Sequence, residues 1–159
     1  MSNTITYQVG AEALQNALRA SHDAESAYEQ LLQKSNNDAI KNFIKERISM
    51  FNQFSEEISD LLMEIGVLPQ EKGSVNGGLS RLWFDLKSSV LDYNINMLLE
   101  ESKKIDKDHH YNYMQIIRSN SYSQEAYEVL MNHLSEIRTT KRPEVVSSHP
   151  VIKSVQVRA

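Results

Sequence analysis

Apolar residues recur every three or four positions along most of the chain, the spacing that puts side chains on one face of an α-helix. The first stripe holds Leu14, Ala17, Leu18, Ala24, Tyr28, Leu31 and Leu32 and predicts a helix over 14–32. The tetrapeptide SNND at 35–38 interrupts it, because Ser, Asn and Asp side chains compete with helical backbone bonds and cap a new start. So short a break makes the first two helices antiparallel neighbours. A second stripe follows through Ile40, Phe43, Ile44, Ile48, Phe51, Phe54, Ile58, Leu61, Leu62 and Ile65, and Gly66 and Pro69 end it.

The third stripe begins at Asp92 and runs through Ile95, Leu98, Leu99, Ile105, Tyr113, Ile116 and Ile117. At 119–125 the sequence SNSYSQE is another capping cluster, in which Ser121 and Gln124 have capping-box spacing. A fourth helix places Ala126, Tyr127, Leu130, Leu134 and Ile137 on one face before Pro143 stops it. The link at 67–91 carries Gly73, Gly77 and Gly78, three of the chain's 5 glycines, and its only tryptophan. Leu79, Leu82, Trp83, Leu86 and Val90 keep helical spacing there, so a short helix with the indole as packing anchor is expected. Two hairpins joined by one long link predict an all-α fold, a ferritin-like up-and-down four-helix bundle whose long crossover contains a short helix.

The corresponding domain plan is an N-terminal extension at 1–9, the bundle at 10–142 and a C-terminal tail at 143–159, disordered or a short strand. The tail has partial alternation at Val151, Val155 and Val157, and TITYQV at 4–9 alternates as well. These ends are expected either to be disordered or to pair with each other or with a second subunit.

Composition narrows the function classes. A chain of 159 residues buries a core without metal or disulfide staples. With a formal net charge of -4 it has no global positive field for nucleic acid or an anionic membrane, so neither is expected as a partner. The absence of cysteine removes thiol catalysis and thiolate metal sites. No apolar run approaches the roughly 20 residues that span a bilayer, and MSNTITYQVG lacks the basic and apolar regions of a signal peptide. The expected location is cytoplasmic. No serine lies in a G-x-S-x-G elbow, and VNGGLSR has neither the lysine spacing nor the preceding strand of a phosphate loop.

The stretch GSVNGGLSRLWFDLKSSV resembles the crossover signature of the bacterial ferritin-like four-helix-bundle family DUF2383, a domain of unknown function. The residues that carry the likeness are Gly73, Ser74, Gly77, Arg81, Trp83, Asp85, Leu86 and Lys87. The resemblance extends from 14 to about 137. HDAESAY at 22–28 is similar to the family's first-helix run at Asp23, Glu25 and Tyr28, with Ala24 and Ala27 where glycines are common. Glu46, Arg47, Phe54 and Glu57 match in the second helix and Glu101 in the third, where Asp106 replaces an expected glutamate. The resemblance implies the fold, and for function it implies association in a stress-related setting.

Carboxylate-bridged metal chemistry in such a bundle needs a Glu from each of two helices and a Glu-x-x-His pair from each of the other two. Residues three apart share a helical face and reach one ion. Three residues before His22, His110, His133 and His149 stand Arg19, Lys107, Leu130 and Val146. Only His109 has a carboxylate there, Asp106, so the standard ligand set cannot be assembled. The candidate ligands for a divergent iron or manganese site are Glu25, Glu57, Asp106 and His109. Helical projection turns Ser21, Glu25, Arg47, Glu57, Ser102, Asp106, His109 and His133 toward the interior, where they are expected to satisfy one another. His109 and His110, beside Lys107 and Asp108, also read as part of a solvated face, with Tyr111 and Tyr113 offering an aromatic surface.

Three readings of function stand. The first is a non-enzymatic bundle with no cofactor that acts as a homo-oligomer or with a protein partner. The second is a metal-binding bundle with oxidoreductase or storage activity. The third is a binder of a small apolar ligand between the helices.

Overall fold

The computed structural model describes residues 2–72, 94–119 and 122–143, the side chains of 2–9 and of Ser119 aside. These residues form α1 (Ser2–Gln33), α2 (Asp38–Glu64), α3 (Ile95–Ser119) and α4 (Gln124–Thr139), and no strand occurs among them. The crossover residues Gly73, Ser74, Gly77, Arg81, Trp83, Asp85, Leu86 and Lys87 and the tail valines lie outside the described residues. α1 starts well before 14, and 4–9 is helical backbone rather than an extended strand. Between Ser2 and Leu14 the sequence has no proline and one glycine, so a helix nucleated downstream propagates back through residues that are only mildly unfavourable to it.

The caps follow from local chemistry. Asn37, at φ -104° and ψ 130°, opens α2 with its Oδ1 accepting from Ile40 N at 3.1 Å. At α4 the cap is Ser123, whose Oγ accepts from Ala126 N at 3.1 Å. Because Ala126 has no polar side chain to bond back, this is a single N-cap rather than the capping box expected of Ser121 and Gln124, and Ser121 itself lies outside the described residues. The end of α2 is a Schellman closure. Gly66 takes φ 78°, its N–H bonds Met63 O at 2.9 Å, and Val67 N–H bonds Leu62 O at 2.9 Å.

Cross-helix contacts set the directions. Tyr28 of α1 packs on Phe43 and Phe51 of α2, whereas His22 meets Ser55, so α1 and α2 are antiparallel. Tyr28 also meets Asp106 and Ser21 meets Tyr113, making α3 antiparallel to α1. His133 lies between Tyr113 and Glu57, and Ile137 O accepts from Arg47, so α4 runs against both α2 and α3. Each helix therefore neighbours two others, and the diagonal helices α2 and α3 run parallel.

The residues after Gly66 turn back along a polar rail on α1. Gln15 donates from Nε2 to Leu68 O at 2.9 Å and accepts from Gln70 N at 3.0 Å. Arg19 donates to Gln70 Oε1 at 2.8 Å. Lys72 pairs with Glu29 and, at 3.4 Å, with Glu25. At 3.6 residues per turn, positions 15, 19, 25 and 29 fall within about a third of the circumference, so they share one face of α1.

The apolar interior falls into two halves. One gathers Ala24, Ala27, Tyr28, Leu31, Phe43, Ile44, Phe51, Leu99 and Ile137. The other gathers Ala13, Leu14, Leu18, Ile58, Leu62, Tyr113, Leu130 and Leu134. Between them lies a belt of buried polar side chains, among them Ser21, Ser55, Asp106, His109 and His133. Ala24 and Ala27 are both buried, so their methyl groups are part of the packing.

A left-handed residue with a Cβ is unfavourable, and Gly66→Ala is expected to cost about 1 kcal/mol. Urea denaturation at pH 7 reads this as a lower midpoint with an unchanged slope, and an unchanged midpoint would remove the strain argument.

Candidate functional site

The belt contains two separate constructions. In the first, α1, α2 and the segment after α4 converge on Asp106 of α3. Arg47 of α2 reaches Oδ2 at 3.0 Å and also donates to Ile137 O of α4 at 3.3 Å. Tyr28 of α1 donates to Oδ1 at 2.7 Å and to Ser102 O at 3.1 Å. Arg142, just past α4, reaches Oδ2 and donates from Nε to Ser102 Oγ at 3.0 Å. Arg47 is 1% exposed, and burying a guanidinium that deeply requires a counter-charge and hydrogen bonds. Both guanidinium carbons also lie over the Phe43 ring, at 5.2 and 5.6 Å from its centroid. Burial, with the Asp106 charge adding to it, pushes the Tyr28 phenol well above its usual range.

The second construction is a chain of hydrogen bonds across the belt. Glu57 Oε1 of α2 is 2.6 Å from His133 Nε2 of α4, and His133 Nδ1 is 3.0 Å from the Tyr113 hydroxyl of α3. That hydroxyl is 3.0 Å from Ser21 Oγ of α1, which is 3.3 Å from His109 Nε2 of α3. Stacking supports the rings: Phe54 lies on His133 with centroids 3.9 Å apart, and Phe51 meets His109 edge-on at 4.8 Å.

Glu57 fixes the sense of this chain. A carboxylate only accepts, so His133 presents Nε2–H to it. Burial lowers the His133 pKa against the opposing pull of the Glu57 hydrogen bond and charge, which leaves the neutral imidazole with a free lone pair on Nδ1. The Tyr113 hydroxyl donates to that lone pair, Ser21 donates to the Tyr113 oxygen, and His109 donates to Ser21 from Nε2. Every donor thus points toward Glu57, the one member with a half-exposed side chain. The far end is Nδ1 of His109, which is buried and has no partner among the described residues. Burial, reinforced by the neighbouring His133 and His110, lowers the His109 pKa to about 3. Burial likewise pushes the Tyr113 phenol upward.

The four residues singled out as metal candidates serve in different places. Asp106 is held between two arginines, Glu57 accepts from His133, His109 donates to Ser21, and Glu25 Oε2 takes Lys72 and Asn52 at 3.4 and 3.3 Å. Among the described residues no three His, Asp or Glu side chains are placed to hold one ion. The donor set does not fit a carboxylate-bridged metal pair, because the Asp106 oxygens already face two guanidinium groups and a phenol. His109 is buried and only His110 is solvent-facing, while Tyr111 is 63% exposed and Tyr113 is 0% exposed, so those tyrosines form no common surface. Arg142 and Lys72 were not signalled by the sequence, since both stand outside the periodic stripes.

Residues 10–119 match the family model described as Domain of unknown function (DUF2383). No curated protein and no solved structure matches the chain. No described helix is long and apolar enough to cross a membrane.

Two outcomes test the belt. Arg47→Met leaves Asp106 with the Tyr28 hydroxyl and the partly exposed Arg142 and is expected to cost about 3 kcal/mol, most of it recovered in the Arg47→Met/Asp106→Leu double variant. A double variant no more stable than the single one would mean that the pair holds the core together by its charge. The histidines set a pH window. The folded-state pKa of His109 lies below its ordinary 6.5, so the unfolded chain binds the proton more readily. Stability is therefore full above about pH 6.5 and falls as the pH drops toward 3, by up to about 1.4 kcal/mol per pH unit for each such histidine. Urea titrations from pH 7.5 to 4 should show this loss, shallower in His109→Gln.

Proposed function

The chain belongs to the DUF2383 family, and from that membership we propose a non-enzymatic, cytoplasmic four-helix bundle of ferritin-like connectivity that acts by self-association. The observation that carries the reading is where the polar chemistry goes. Asp106, Glu25, Glu57 and His133 are engaged by arginine, lysine, imidazole or hydroxyl groups of the same chain, so the interior is organised to hold helices together.

What remains available is on the outside. At the end of the bundle where α2 closes, Met63 is 56% exposed and Leu68 is 85% exposed. Ile65 and Val67 stand partly buried between them in sequence. An apolar end of this kind is the part of the surface that gains most by being covered by a second copy. The parallel α2 and α3, and the turn of 67–72 back along α1, support the ferritin-like connectivity, in which the link between the hairpins travels the length of the bundle.

Sedimentation velocity tests the association. The expected result is a species larger than the 18.2 kDa monomer that dissociates in Met63→Glu/Leu68→Glu, with helical content unchanged. A monomer at all concentrations, or an oligomer indifferent to both substitutions, would overturn the reading. Elemental analysis of untagged protein grown with added iron and manganese should find metal at background, and stoichiometric metal lost in Glu57→Gln would return the metal-binding alternative.

A further inference from the structure

The described tyrosines differ in what can happen to the phenol proton. Tyr28 donates to Asp106, a carboxylate committed to two arginines, and a proton moved onto it would strand both guanidinium groups without their counter-charge. Tyr122 donates to Ile117 O at 2.6 Å, and an amide carbonyl is no base. Tyr111 and Tyr127 stand at the surface. Tyr113 alone among them donates to a neutral imidazole, at 3.0 Å, whose other nitrogen is 2.6 Å from a carboxylate with a half-exposed side chain. Its proton has an acceptor and a route out.

We propose that Tyr113 is a redox-active residue that gives one electron to a diffusible one-electron oxidant of the peroxyl-radical class while its phenol proton passes to His133 and on to Glu57. The Tyr113 O–H bond breaks and an N–H bond forms at Nδ1 of His133. The Nε2–H bond of His133 breaks, that proton joins Glu57 Oε1, and from there it exchanges with water. Tyr113 is oxidised to a neutral phenoxyl radical. The peroxyl radical gains the electron and a proton and is reduced to a hydroperoxide, so atoms and charge balance.

Three features of the site suit this step. Loss of the electron alone would leave a cation on a fully buried ring in the same apolar cluster as Leu130 and Leu134, a charge that interior solvates poorly. The relay removes that charge in the same event. Tyr113 is 0% exposed, which keeps a radical on its ring from direct contact with solvent species. The Ser21 hydroxyl, 3.0 Å away, remains as a donor to the phenoxyl oxygen after the proton has left. The electron has only one layer of helix to cross, about 10 Å.

The test uses the whole chain with photogenerated tris-bipyridyl ruthenium(III) as a defined one-electron oxidant, read by electron paramagnetic resonance after rapid freezing. The wild-type protein should give a tyrosyl signal that disappears in Tyr113→Phe and persists in Tyr28→Phe and Tyr111→Phe. Glu57→Gln changes only a half-exposed carboxylate, keeps the fold by circular dichroism, and should slow radical formation by roughly 100-fold, the scale of losing a positioned base. His133→Gln should do the same or more. A signal that survives Tyr113→Phe at full intensity, or a rate unmoved in Glu57→Gln, overturns the proposal. With peroxyl radicals generated from a thermal azo initiator, the same signal is expected at Tyr113. Its appearance only at the exposed Tyr111 or Tyr127 would overturn the assigned oxidant class.

Discussion

One carboxylate organises this bundle. Asp106 draws Tyr28 from α1, Arg47 from α2 and Arg142 from beyond α4 onto its own helix, α3, so four segments far apart in sequence meet at a single group. The apolar stripes can slide past each other by a turn and still bury oil against oil. The ion pair cannot, because a buried guanidinium one turn out of place has no partner. Arg47 also crosses the bundle diagonal, fixing the height of α2 against α3. Hydrophobic burial supplies most of the driving force, and the charge selects one register.

With that register set, the second polar chain becomes possible. Glu57, His133, Tyr113, Ser21 and His109 come from four helices, and their spacing depends on each helix standing at one height. The half-exposed carboxylate at one end imposes a direction on groups whose roles are otherwise interchangeable. The two constructions differ in their chemistry. Around Asp106 opposite charges hold one another in place, whereas the chain is a line of buried hydroxyl and imidazole groups that ends on one half-exposed carboxylate.

Much of this was legible in the sequence, and the reasons are local. The 3.6-residue periodicity gave the second, third and fourth helices, the SNND cluster announced a cap within 35–38, and projection turned Arg47, Asp106, His109 and His133 inward. Pairing was not legible. His133 and Glu57 are 76 residues apart, and only the relative heights of α2 and α4 bring them together. Arg142 and Lys72 lie just outside helices, where no period points to them. The start of α1 was missed because Thr-Ile-Thr favours a strand in isolation, a preference that an adjoining helix outweighs.

The rail on α1 bears on how such a chain can vary. Gln15 holds the carbonyl of Leu68 and the amide of Gln70, both main-chain atoms that every residue type except proline supplies. The position of this segment is therefore indifferent to the side chain at 68, which points outward. Related chains are free to rewrite that exposed residue, and with it whatever the outer surface meets, while the bend beneath it stays as it is. The constraint falls on Gln15, inside a helix and remote in sequence from the surface it keeps open to change.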